Sequence, residues 1–138
     1  MADDALRARL RHRLDDSPFW TFLGMELVEV AEGLARVRLT LRPELRNSFG
    51  IMHGGALGAL VDSAGGLAVL STGVDGPIPT VEYSLNFLAP VDAGAVTAEG
   101  RLLRRGRRIA VSEVTVTDEA GRLIAKGLVT NLIAEEPR

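Results

Sequence analysis

Hydrophobic positions change their period along the chain. Residues 2–15 place Leu6, Leu10 and Leu14 one turn apart, with arginine and aspartate on most other faces. That spacing predicts a short amphipathic helix. The segment SPFWTFLG then breaks it, with Pro18 as the punctuating residue. MELVEV and LARVRLTLRP alternate with period two and meet at AEG, which predicts a hairpin. In its second run Val37, Leu39 and Leu41 share one face, and Arg36, Arg38, Thr40 and Arg42 share the other. Residues 47–71, NSFGIMHGGALGALVDSAGGLAVLS, return to an apolar helical period. VDGPIP follows as a turn and loop. Then come TVEYSLNFL, AVTAEGRLLRR with RRIAVSEVTVTD, and RLIAKGLVTNLI, with Gly106 and DEAG marking turns. The predicted order is a helix, two strands, a long central helix and four strands. Successive hairpins favour an antiparallel sheet with the apolar helix on one face, an α+β class.

Length makes this one domain over residues 1–138, with residues 1–17 as a peripheral helix. A chain of 138 residues buries a core without staples. The net charge of −2 argues against nucleic acid or a polybasic membrane anchor as the partner. No run approaches the roughly 18 apolar residues of a membrane span. The absence of cysteine excludes disulfides, zinc-thiolate sites and cysteine nucleophiles. The start, MADDALRARLRHRL, has acids before any apolar run and is no secretory signal, so a cytoplasmic location is expected. His12 and His53 are far apart and lack metal-ligand spacing. HGGALGA is not a dinucleotide fingerprint, because Ala56 and Ala59 stand where it needs glycine. Ser63 and Ser71 lack the serine-hydrolase elbow.

The central helix raises a question of its own. At about 100° per residue, Gly55, Gly58, Ala59, Gly65, Gly66 and Val69 fall on the side of Asp62. Leu57, Leu60, Ala64 and Leu67 fall opposite and face a core. Each interior glycine costs a helix about 1 kcal/mol relative to alanine. Such a bare side is expected where something comes very close: a helix, a strand or a ligand. Asp62 lies on that side. A lone helical aspartate is commonly bonded to backbone or exposed. Among apolar neighbours it is costly unless paired, and there it suits a general base or nucleophile.

His53 precedes Gly54 and Gly55 where the helix begins. A histidine there can simply cap. Yet helix N-termini leave N–H groups unpaired and partly positive. With glycines present, a substrate carbonyl can approach those N–H groups as an oxyanion hole. Asn47 adds a neutral amide near the same mouth, or serves only as a turn residue. Phe19, Trp20, Phe49 and Phe87 are candidates for an acyl pocket or for the core.

The run N-S-F-G-I-M-H-G-G-A-L-G-A-L-V-D resembles the active-site segment of the hotdog-fold acyl-CoA thioesterases, nearest the phenylacetate-pathway and 4-hydroxybenzoyl-type branch. LGMELVEVAEGLARVRL, TVEYSLNFLAPVDAG and RRGRRIAVSEVTVTDEAGRLIAKG extend the likeness over residues 18–133. The resemblance implies a hotdog fold, an antiparallel sheet wrapped around a long helix. It implies hydrolysis of an acyl-CoA to free acid and CoA, with no separate cofactor. It also implies a homodimer with joined sheets and sites between subunits, and a dimer of dimers. In that scheme Asp62 activates water or attacks the thioester, and the Gly54 N–H polarises the carbonyl, with Gly55 beside it. His53 and Asn47 orient the thioester, and Thr80 helps hold the water. Two alternatives share the ground: an acyl-thioester hydratase or dehydratase, and a non-catalytic acyl-CoA-binding module.

RLLRRGRRIA is a second candidate site. Arg101, Arg104, Arg105, Arg107 and Arg108 crowd a glycine turn, either as a solvated tip or as a clamp for CoA phosphates. The planar guanidinium fork suits phosphate. The chain lacks aromatic platforms near this cluster for nucleic acid.

Overall fold

The structure is a computed structural model that describes residues 2–134. Its helices are α1 (Ala2–Asp15), α2 (Pro18–Leu23) and α3 (Gly54–Leu70). Its strands are β1 (Glu26–Ala31), β2 (Leu34–Thr40), β3 (Thr80–Phe87), β4 (Ala95–Arg105), β5 (Ile109–Asp118) and β6 (Leu123–Leu132). The strands form one sheet in the order β1-β2-β4-β5-β6-β3, with every pairing antiparallel.

The expected helix, hairpin, central helix and four strands are all present. Two details differ from the sequence reading. First, successive strands are not all hairpins: β3 pairs with β6 at the far edge and leaves β4 beside β2. α3 is the cause. Its 17 residues rise about 25 Å, enough to carry the chain across four interstrand gaps of about 4.8 Å. Second, SPFWTFLG does more than break a helix. Pro18 opens a six-residue helix from the first-turn position, where its missing N–H is harmless. Gly24 closes that helix with φ 78°, a conformation that favours glycine.

The core lies between α3 and the sheet. Leu57, Leu60, Ala64 and Leu67 of α3 are buried against Val37, Leu39, Val96, Val114, Val116, Ile124 and Val129. This is the face the helical period assigned to the core. The bare side of the helix is also pressed by the chain itself. A Cβ at Gly65 would stand 2.7 Å from Val129 Cβ, and one at Gly58 would stand 2.8 Å from the Tyr83 hydroxyl. Strands β6 and β3 therefore fill the space at these two glycines, so a partner subunit or a ligand does not explain them. Gly66 is looser, with 3.4 Å to Ile78 Cδ1. From the sheet side, a Cβ at Gly100 of β4 would run into the Ala64 carbonyl. Ser112 Oγ donates to the Gly65 carbonyl at 3.2 Å beside that contact.

The two sheet edges are treated differently. Along β1, Arg7 and Arg11 of α1 both donate to the Leu27 carbonyl, each at 3.2 Å. Leu10 of α1 is buried, and Arg9 pairs with Asp75 at 3.0 Å. The Leu27 carbonyl, occupied in this way, is no longer open to another strand. Along β3, Val81, Tyr83 and Phe87 are exposed, as is Leu88 beyond its end. No helix of the described residues is long and apolar enough to cross a membrane.

Contact distances separate two glycines by experiment. Gly100→Ala is expected to lower unfolding stability by about 1–3 kcal/mol, the usual range for overpacking. Gly66→Ala is expected to be neutral or to stabilise by up to about 1 kcal/mol through helix propensity. Urea unfolding of both variants checks the pair. A tolerated Gly100→Ala would contradict the close approach of α3 to β4.

Candidate active site

The start of α3 is built by the loop before it. Asn47 Oδ1 accepts from the Phe49 N–H at 2.9 Å and from the Ile51 N–H at 3.3 Å. The Asn47 N–H donates to the Ile51 carbonyl at 2.8 Å. The asparagine thus folds its own loop, as its short side chain allows. Its Nδ2 makes no hydrogen bond within the described residues and stays available as a donor. His53 is the N-cap of α3, and its Nδ1 accepts from the Gly55 N–H at 2.7 Å. In that role Nδ1 is unprotonated and the ring hydrogen sits on Nε2.

Capping leaves one backbone donor free. Ala56 and Leu57 donate to the His53 carbonyl, and Gly55 donates to the His53 ring. The Gly54 N–H has no acceptor within the described residues. The Gly54 N–H is thus open at the start of α3. Gly55 does not offer a second donor, because its N–H is already engaged. What Gly55 supplies is room: a Cβ there would meet the His53 ring at 3.0 Å. At Gly54, a Cβ would stand 3.1 Å from the Phe87 ring.

Asp62 sits two turns further along α3 and is half-buried. Its Oδ1 accepts from the Thr80 hydroxyl at 2.5 Å. Its Oδ2 has no partner within the described residues. Thr80, at the start of β3, is thus hydrogen-bonded to the acid itself; the resemblance implied a water-holding role for it.

Within one chain the predicted residues fall into two groups. Asn47 and Gly54 line a cavity of about 380 Å³ with Met52, Leu57, Phe87 and Leu88. Asp62 and Thr80 line another of about 210 Å³ with Phe19, Trp20, Ile78 and Asn131. Eight residues of helix separate Gly54 from Asp62, about 12 Å at 1.5 Å per residue. A larger cavity, about 440 Å³, lies between α1 and β1; Trp20 lines it, but none of the predicted catalytic or CoA-binding residues does. Phe49 lines neither of the two site cavities and is exposed. Among the described residues no group of three His, Asp or Glu side chains could hold a metal ion.

The arginine cluster divides too. Arg101 Nε is bound to Glu99 at 2.6 Å. Partial burial works against the charge of Glu99, yet its bonds to Arg101 and Arg36 hold its carboxyl below the usual range. Arg104, Arg105, Arg107 and Arg108 are exposed and have no carboxylate partner within the described residues. Their turn stands at the Asp62 end of the sheet. Ala110 pairs with Asn131, and Asn131 pairs with Thr80. The Ile133 N–H also donates to the Arg108 carbonyl at 2.6 Å.

The sequence reading missed Asn131, and the alternation contains the signal for it. Asn131 is in phase with Ala125, Gly127 and Val129 on the inward face of β6, yet it is polar and 1% exposed. It also missed Leu14, which α1 contributes to the Asp62 cavity.

A helix N-terminus with one free donor, and a braced carboxylate on that same helix, suit hydrolysis at a carbonyl centre. An antiparallel sheet wrapped on one long helix places these groups in the hotdog class of folds. The chain belongs to the thioesterase superfamily, whose sequence profile matches residues 49–125, and it is a thioester hydrolase. It is 33% identical to a 1,4-dihydroxy-2-naphthoyl-CoA hydrolase of Listeria monocytogenes, over 74% of this chain and 84% of that protein. It is similar to the crystal structure of a Streptococcus mutans protein bound to acetyl CoA. There the TM-score is 0.78 and the identity 29%, with 85% of this chain and 94% of the other covered. The E. coli PaaI protein of the phenylacetic acid degradation operon shares the fold, with TM-score 0.90 at 20% identity over 98% and 97% of the two chains.

Proposed function

We propose that the protein hydrolyses an acyl-CoA thioester to the free acid and CoA, at sites completed by two copies of the chain. The observation that carries the reading is Asp62, a carboxylate with one oxygen tied to Thr80 and the other unpaired among the described residues. As a general base, Asp62 takes a proton from water while the water oxygen attacks the thioester carbonyl carbon. Negative charge gathers on the carbonyl oxygen, where the Gly54 N–H donates to it. The C–S bond then breaks and the CoA sulfur leaves, taking the proton back from Asp62. Direct attack by the carboxylate is the other route open to the same residue.

The separation within one chain supports the shared site. Gly54 and Asp62 stand about 12 Å apart along one helix, too far to act on one carbonyl. Antiparallel pairing of two β3 edges would set two α3 helices side by side in opposite directions. The Gly54 end of one copy would then meet Asp62 of the other. The exposed, apolar β3 edge suits this pairing, and a two-fold contact buries the same strand from both sides.

On the CoA side, Arg104, Arg105, Arg107 and Arg108 are exposed cations at the Asp62 end of the sheet, without a carboxylate partner among the described residues. We assign them to the CoA phosphates. On the acyl side, Phe19 and Trp20 wall the Asp62 cavity.

Thiol release from a panel of aromatic and medium-chain acyl-CoAs tests the reaction. Asp62→Asn is expected to lower turnover by about 100-fold or more, as for loss of a general base, with the fold intact. Release from none of the panel would sink the thioesterase reading, and equal turnover by the variant would sink the role of Asp62. Alanine at the four arginines is expected to raise KM for acyl-CoA several-fold and to flatten its dependence on salt. A KM indifferent to both changes would leave the cluster as a solvated tip.

A further inference from the structure

Among the described residues, Asn131 is the buried polar side chain in the Asp62 cavity that the proposed reaction leaves unused. It is 1% exposed, at an inward position of β6. Its Nδ2 donates to the Ile78 carbonyl at 2.9 Å and to Thr80 Oγ1 at 3.2 Å. Its Oδ1 is buried without a partner among the described residues. An unpaired buried acceptor is costly, and an apolar residue at this position would avoid that penalty. The orientation of the amide is nevertheless fixed: turned over, its oxygen would face the Ile78 carbonyl oxygen, and two acceptors do not pair.

The polarity of the next link follows. A threonine hydroxyl has one hydrogen to give. Thr80 Oγ1 already accepts from Asn131, so its own hydrogen goes to Asp62 Oδ1, at 2.5 Å. The order Asn131 to Thr80 to Asp62 runs in one direction. Without the amide, the hydroxyl can rotate and accept from water or substrate, and the carboxylate loses its fixed orientation.

We propose that Asn131 is a positioning residue: by donating to Thr80, its amide commits the Thr80 hydroxyl proton to Asp62 and fixes which carboxylate oxygen faces the thioester. Asn131 touches neither Asp62 nor any reacting atom and acts through Thr80. The inference rests on the reading of Asp62 as the reactive group. It goes beyond that reading by adding a residue on a different strand.

The test is a double-mutant cycle of Asn131→Leu and Thr80→Val, read by acyl-CoA hydrolysis and by the carbon-13 resonance of the Asp62 carboxyl. Asn131→Leu is expected to lower kcat about tenfold with KM changed less than about twofold, in the range of coupling between directly bonded side chains. In the Thr80→Val background the same change is expected to cause no further loss. A wild-type kcat in Asn131→Leu, or losses that multiply in the double variant, would overturn the proposal. Should Asn131→Leu fail to fold, Asn131→Val replaces it. Valine suits an inward strand position like that of Val129, donates nothing to Thr80 and is expected to give the same loss. The resonance separates this proposal from the one beneath it. If no acyl-CoA is hydrolysed, the thioesterase reading fails. The Asp62 resonance should still shift on changing Asn131 in the wild-type background and stay put in Thr80→Val. A resonance indifferent to Asn131 overturns the relay.

Discussion

The site depends on how closely the central helix lies on the sheet. Contact is made where side chains are missing: Gly100 beneath the Ala64 carbonyl, Gly65 against Val129, and Gly58 against Tyr83. Each glycine lowers helix or strand propensity; Gly100 lets two backbones approach within a distance that a Cβ would forbid, while Gly65 and Gly58 make room for side chains of β6 and β3. The Thr80 hydroxyl reaches Asp62 at 2.5 Å only because β3 lies this near to α3. A helix riding higher on larger residues would leave the carboxylate without its brace. Close packing, usually a matter of stability, here sets hydrogen-bond geometry.

A second constraint comes from helix length. α3 is long enough to carry the chain across the sheet, and its two chemical ends are therefore separate. At the N-terminus the His53 ring takes the Gly55 N–H and leaves the Gly54 N–H free. Two turns later Asp62 meets Thr80. One chain offers an open N–H and a braced carboxylate, but at different cavities. The sheet offers a way to join them. Its β1 edge is occupied by arginines of α1, whereas its β3 edge presents apolar residues. Proteins usually blunt an open edge, and the open β3 edge is the surface on which the proposed two-copy site depends.

Much of this was legible before the structure. The helical period separated the core face of α3 from the Asp62 face, and both assignments hold. The strand segments and turn glycines were placed by alternation and by turn chemistry. Other features lie outside what local pattern can carry. The position of β3 at the far edge depends on where a 17-residue helix delivers the chain. The glycines of α3 were visible as a bare face. That Tyr83 and Val129 fill part of it is a tertiary fact. Gly54 and Gly55 look alike in sequence, and only the His53 bond shows which N–H is free. Asn131 was visible as a polar residue in an inward phase of β6, but its meaning required Thr80 and Ile78, some fifty residues away.

The central claim is that Gly54 of one copy and Asp62 of another act on the same thioester. It is tested most directly by mixing two inactive variants. Gly54→Pro removes the free N–H while keeping the helix start, because proline suits the first helical position and His53 already has the extended backbone that precedes a proline. Asp62→Asn removes the base. After joint refolding at equal amounts, half of the dimers are mixed, and each mixed dimer holds one site with both groups intact. The account predicts recovery of about a quarter of wild-type activity from two inactive parents, as random two-fold pairing requires. A refolded mixture that contains mixed dimers yet stays as inactive as its parents would contradict it.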